Sequence, residues 1–113
     1  MISPSRGEIW FADFGDPSGH EQGWRRPCLI VSIDGLNRGP AGLAIVIPIT
    51  SIKKGIPYHV EVTPPEGGLK SQSFIKCEDI RSISTNRLIK RWGVVAPATL
   101  SEVEYRLRVL LNL

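Results

Sequence analysis

The chain has 113 residues, the size of one domain with a modest core. Apolar residues make up 42% and charged residues 22%, which excludes disorder as the default state. The net charge of +3 is mildly basic: it favours contact with polyanions without proving it, and no run approaches the ~18 apolar residues of a membrane-spanning helix.

The first strand is expected over residues 8–14 (EIWFADF), aromatic-rich and preceded by Gly7. A polar loop over 15–24 follows. Residues 27–33 (PCLIVSI) form a nearly unbroken apolar run, as in a strand buried on both faces. Residues 43–50 (LAIVIPIT) read the same way, with Pro48 arguing for a bulge or an edge near the end. Residues 58–63 (YHVEVT) alternate. Tyr58, Val60 and Val62 share one face; His59, Glu61 and Thr63 share the other, where His59 is expected to meet solvent. Residues 73–83 and 87–95 complete six strand segments, and the linkers between them are rich in Gly, Pro and Asn.

The period then changes. Val103, Leu107, Leu110 and Leu111 recur at helical spacing. Thr99 followed by Glu102 fits a capping box, while Pro97 suits the first turn of a slightly earlier start. The expected fold is mainly β with a C-terminal helix, a small barrel or strongly bent sheet, in one domain over 1–113. With no signal core after Arg6 and no membrane span, the chain is expected to be cytoplasmic. Its two cysteines, Cys28 and Cys77, sit in apolar runs and are expected to be buried free thiols, a disulfide remaining open from sequence.

The two histidines, His20 and His59, show no metal-ligand spacing, and neither cysteine has an activating context. The segment Gly19-His20-Glu21-Gln22-Gly23-Trp24-Arg25-Arg26-Pro27 is richer: it places a carboxylate, an amide, an indole and two guanidiniums before a buried strand. Pro27 restricts Arg26 to extended geometry at the strand entrance. A planar guanidinium suits phosphate, and Trp24 suits base stacking. Taken alone, the segment also reads as a hydrated loop with a structural Arg–Glu pair. Thr50 and Ser51 end the third strand with two hydroxyls, which alone read as a turn. Charges at Lys76, Glu78, Asp79 and Arg81 alone read as a solvated face.

In order, Arg6-Gly7-Glu8-Ile9-Trp10-Phe11-Ala12-Asp13, Glu21-Gln22-Gly23, Arg26-Pro27, Leu29-Ile30-Val31-Ser32, Val46-Ile47-Pro48-Ile49-Thr50-Ser51, Pro57-Tyr58-His59-Val60-Glu61-Val62 and Glu78-Asp79-Ile80-Arg81-Ser82-Ile83, with the terminal leucine-rich helix, resemble the MazF/PemK toxin family over nearly the whole chain. The resemblance implies a small SH3-like barrel of the CcdB/PemK type with a C-terminal helix, and a homodimer. It implies sequence-specific cleavage of single-stranded RNA without metal or cofactor, held in check by a cognate MazE-like antitoxin. The 2′-OH attack implied leaves a 2′,3′-cyclic phosphate and a 5′-OH end, and inhibits translation and growth. Arg26, Thr50 and Glu21 become the catalytic candidates; His20, Gln22, Trp24, Arg25, Ser51, Ser73 and Glu78 become RNA-binding candidates. The sequence departs from the family at His20, where a small residue is usual, and at the bulkier Trp24, both bearing on the RNA motif cut. Other readings of the same architecture are a CcdB-like gyrase poison and a non-catalytic SH3-like interaction module.

Overall fold

The computed structural model describes residues 3–15 and 24–113. Seven strands and two helices follow one another as β1 (Glu8–Asp13), β2 (Arg25–Ile30), α1 (Asp34–Asn37), β3 (Leu43–Thr50), β4 (His59–Val62), β5 (Ser73–Lys76), β6 (Arg81–Ser84), β7 (Leu88–Val94) and α2 (Pro97–Leu111). All pairings are antiparallel, in the order β4-β5-β3-β2-β1-β7, with β6 also on β3. The mainly-β fold with a C-terminal helix is as expected. The pairing among the described residues leaves β4 and β7 as unjoined ends, so the sheet does not close into a barrel.

The unbroken apolar runs have a direct cause: β1, β2 and β3 each feed two separate cores. Ile9, Leu29, Ile47 and Ile49 enter one, with Val60, Val62, Ile75, Cys77 and Val103. Their neighbours Trp10, Cys28, Ile30 and Val46 enter the other, with Ala44, Ile83 and Leu88. Helix α2 covers the first core through Leu100, Val103, Leu107 and Leu110. Leu111, read from sequence as part of that stripe, is exposed.

Strand β3 is long enough to serve two partners on one edge. Leu43–Val46 pairs with β6, and Ile49 and Thr50 pair with β5, while Val46–Pro48 holds β2 on the opposite edge. Pro48 lies between the β6 and β5 contacts, where a residue without an N–H interrupts least. The segment expected as one strand over 73–83 is split by a 3-10 turn, Cys77–Asp79, which sends β5 and β6 to different stretches of β3.

The start of α2 is capped from a distance. Pro97 occupies the first turn and Ala96 gives no side-chain cap. Glu66, in the 3-10 turn Glu66–Gly68, accepts hydrogen bonds from the Ala96 N–H (2.9 Å) and the Thr99 hydroxyl (2.5 Å). The expected Thr99–Glu102 box is therefore replaced by a tertiary carboxylate at the positive end of the helix. Glu102 bonds Arg106 (3.0 Å) one turn on.

That same turn lies against β7 with almost no space between backbones. A Cβ on Gly68 would meet the Trp92 carbonyl oxygen at 2.3 Å, and one on Gly93 would meet the Gly67 carbonyl carbon at 2.6 Å. Gly68 also sits at φ +73°, as Gly42 does at +67° with nothing near its Cβ position. Gly42→Ala should therefore cost only the backbone strain, about 1 kcal/mol. Gly68→Ala should cost about 3 kcal/mol, strain plus steric displacement. Thermal unfolding followed by circular dichroism separates them; equal losses would show that the contact is not tight in solution.

Candidate active site

The ends of several elements converge on one cleft of about 160 Å³. Arg26 and Pro27 come from the start of β2, and Ile49, Thr50 and Ser51 from the end of β3. Ser73 comes from the start of β5, Leu69, Lys70 and Ser71 from the linker before it, and Trp92 from β7. Adjacent strands bring residues distant in sequence together: β2 lies beside β3, with Cys28 registered to Pro48, and the end of β3 lies beside β5, with Thr50 registered to Phe74.

The two groups at its centre are prepared for an anion. Arg26 is half-buried, and its Nε is buried without a hydrogen-bond partner among the described residues. A buried N–H left unpaired is costly, so an acceptor reaching it from the cleft would be held strongly. The buried Thr50 hydroxyl accepts a hydrogen bond from the Ile52 N–H (3.2 Å). Its oxygen is thereby fixed and its proton is free to be donated.

Of the residues singled out from sequence, the structure brings Arg26, Thr50, Ser51 and Ser73 together. Trp24 and Arg25 line a different, wider cleft of about 530 Å³ with Asp13 and Gly15. There Arg25 Nε lies 3.8 Å from Asp13, and Trp24 has a left-handed φ of 64°. His20, Glu21 and Gln22 fall outside the described residues. Glu78 is not part of the Arg26 cleft. Its Oε2 lies 2.8 Å from Nε2 of His59, whose side chain is only 3% exposed. His59 thus departs from the solvent-facing reading: alternation puts it opposite Val60 and Val62, but it is buried against Glu78 while Glu61 on the same face stays exposed.

Sequence reading did not single out Trp92 or mark Lys70 above the other basic residues. In register, Ile9 faces Gly93 and Trp10 faces Arg91, so Trp92 is the extra residue of a bulge. Its ring stacks on Phe11, with centroids 5.2 Å apart and planes within 5°. The Lys70 ammonium lies 5.4 Å from the same ring. A basic residue and a tryptophan were visible in the sequence, but the bulge that points one at the other was not.

No group of three or more His, Cys, Asp or Glu that could hold a metal occurs among the described residues. No helix among them is long and apolar enough to cross a membrane.

A cleft pairing a half-buried arginine with a strand-terminal threonine on a sheet of this topology suits an anionic, phosphate-bearing ligand. Residues 5–111 match the family of PemK-like, MazF-like toxins of type II toxin-antitoxin systems. The endoribonuclease MazF9 of Mycobacterium tuberculosis is 36% identical over 113 residues, 96% of either chain. MazF from Deinococcus radiodurans superposes over 100% of both chains with a TM-score of 0.86 at 30% identity. The MazE-MazF crystal structure from the same organism gives a TM-score of 0.83 at 31% identity, over 100% of this chain and 99% of that one. The chain belongs to this PemK/MazF toxin family.

The thiols stand outside the site's chemistry. Both cysteines are free and buried, one in each core. Burial pushes the Cys28 thiol up to about 12 and the Cys77 thiol up to about 11. Raised values mean that their contribution to stability is complete below the ordinary thiol value of 9.0 and is lost as pH rises towards 11 and 12. At pH 8, iodoacetamide should alkylate the native protein at least ~100-fold more slowly than the denatured chain, because the thiolate is the nucleophile. Mass spectrometry should find no adducts on the native protein and both cysteines modified in denaturant; rapid native labelling would contradict the burial.

Proposed function

We propose that the chain is a sequence-specific endoribonuclease toxin that cleaves single-stranded RNA without a metal ion. The observation that carries this is the Nε of Arg26, buried and without a hydrogen-bond partner among the described residues, in one cleft with the Thr50 hydroxyl. Its relatives named as endoribonucleases favour this reading over a gyrase poison or a non-catalytic interaction module.

The ribose 2′-oxygen attacks the adjacent phosphorus as the bond from phosphorus to the 5′-oxygen breaks. A proton leaves the 2′-hydroxyl and another reaches the departing 5′-oxygen. The products are a 2′,3′-cyclic phosphate and a 5′-OH end. DNA, lacking the nucleophile, is not cut. Arg26 stabilises charge on the equatorial oxygens through charge-assisted hydrogen bonds, and Thr50 donates a further one. A guanidinium is a poor base at neutral pH, so Glu21 is proposed as the base or as the group that orients Arg26. Ser51 and Ser73 offer hydroxyls to the RNA within the cleft, and His20, Gln22, Trp24, Arg25 and Glu78 contact it beyond.

The whole of 1–113 acts as one toxin domain in the cytoplasm, as a homodimer. Cleavage of mRNA inhibits translation and growth until a cognate MazE-like antitoxin binds. Relatives crystallised with their antitoxins support that partner.

Arg26→Ala should lower the rate of RNA cleavage by about 100- to 1000-fold while leaving the melting temperature near the parent's. A folded Arg26→Ala protein cutting RNA at the parental rate removes Arg26 from the mechanism. Thr50→Val should lose about 100-fold and Thr50→Ser should recover most of it, if a hydroxyl donor is what matters. Parental cleavage in EDTA should persist and should yield 5′-OH ends. Intact RNA under these conditions would refute the nuclease reading.

A further inference from the structure

Among the described residues, seven of the fourteen Lys and Arg side chains pair with carboxylates: Arg6, Arg25, Arg38, Lys76, Arg81, Arg91 and Arg106. The two cations that line the Arg26 cleft do not. Neither Arg26 nor Lys70 has an ion pair among the described residues, and Lys70 rests on the ring of Trp92 instead. Among the described residues, therefore, the cleft is lined by two positive charges without an ion pair, one of them parked on an indole.

The placement is fixed by backbone rather than by chance. The bulge in β7 brings Trp92 against Phe11. The Gly67-Gly68 turn presses on the Trp92 carbonyl, and Leu69 behind it is buried at 4% exposure. Lys70 is thus the first exposed residue after a segment clamped to the tryptophan's own backbone. Its ammonium can leave the ring without any movement of that segment.

From this arrangement we infer that Lys70 and Trp92 form a nucleotide subsite beside the bond that is cut. Lys70 binds the phosphate neighbouring the one held by Arg26. A cation–π contact at an exposed position is weaker than a charge-assisted hydrogen bond to phosphate, so the exchange favours RNA. As Lys70 moves to phosphate it uncovers indole surface, on which the base of that nucleotide stacks. Phe11, stacked on the ring, keeps the indole in place. Lysine supplies affinity for any sequence, whereas the indole supplies preference among bases. The inference rests on the ribonuclease reading of the cleft.

The test uses the full chain and a randomised single-stranded RNA pool, with cut positions mapped by sequencing 5′-OH ends. Binding is measured in parallel on a 2′-O-methyl RNA pool, which cannot be cut, over a range of salt concentrations. Lys70→Gln should raise KM about tenfold with little change in kcat. It should reduce the salt dependence of binding by about one phosphate contact and leave the bases flanking the cut unchanged. Trp92→Leu should flatten the base preference at one flanking position, and Trp92→Phe should keep part of it. Trp92→Phe also keeps the test valid if the leucine variant is unstable.

If the parent cuts RNA while both Lys70→Gln and Trp92→Phe match it in KM, salt dependence and flanking bases, the subsite is wrong and the nuclease reading stands. If the parent neither binds nor cuts RNA, the nuclease reading fails and the subsite falls with it.

Discussion

The contact between the Gly67-Gly68 turn and the backbone of Trp92 is the constraint on which most of this architecture leans. Nothing larger than hydrogen fits at Gly68, and a Cβ at Gly67 would meet Ile9 at 2.4 Å. The approach fixes three things together. It carries Glu66 to the start of α2, where the carboxylate caps the helix that roofs one core. It seats Leu69 in that core. It holds Lys70 and Trp92 on one wall of the cleft. A residue with a side chain at Gly68 would therefore disturb helix capping and cleft geometry through a single contact.

Much of the fold was legible because burial leaves a pattern in sequence. Strand β3 was read at its true bounds, since a run apolar on both faces has few other uses in a domain of this size. The C-terminal helix was equally plain from Val103 and Leu107. What the pattern cannot encode is the identity of the partner. The 73–83 segment carries apolar residues on both sides of Cys77–Asp79, yet β3 takes its two ends at different places. His59 shows the same limit. Alternation says which residues share a face, but whether His59 itself is covered depends on Glu78, nineteen positions away.

The site divides along the same line. Arg26 was legible because Pro27 fixes it at a strand entrance, and Thr50 because it ends a buried strand. Their convergence follows from β2 lying beside β3. Trp92 was hidden, because a bulge breaks the period of two by which strand faces are read. Glu66 was hidden as a cap because it lies thirty residues before the helix it serves, beyond the reach of any local capping motif.

The electrostatic design of the cleft follows from what the fold leaves undone. Half of the guanidiniums and ammoniums, seven of fourteen, pair with carboxylates among the described residues; Asp79, for example, serves both Lys76 and Arg81. Neutralising Arg26 in the same way would satisfy its Nε and steady the fold, since an unpaired buried donor costs about 1–3 kcal/mol. It would also remove the reason for a phosphate to enter. That donor is preorganised, so no ion pair with a described residue must break when an anion arrives. Thr50 follows the complementary rule: its oxygen accepts from the Ile52 N–H, which orients the hydroxyl and leaves its proton available to donate into the cleft. The site is thus selective for an acceptor-rich, negatively charged group before any residue moves, and the stability forgone at Arg26 is returned when that group binds.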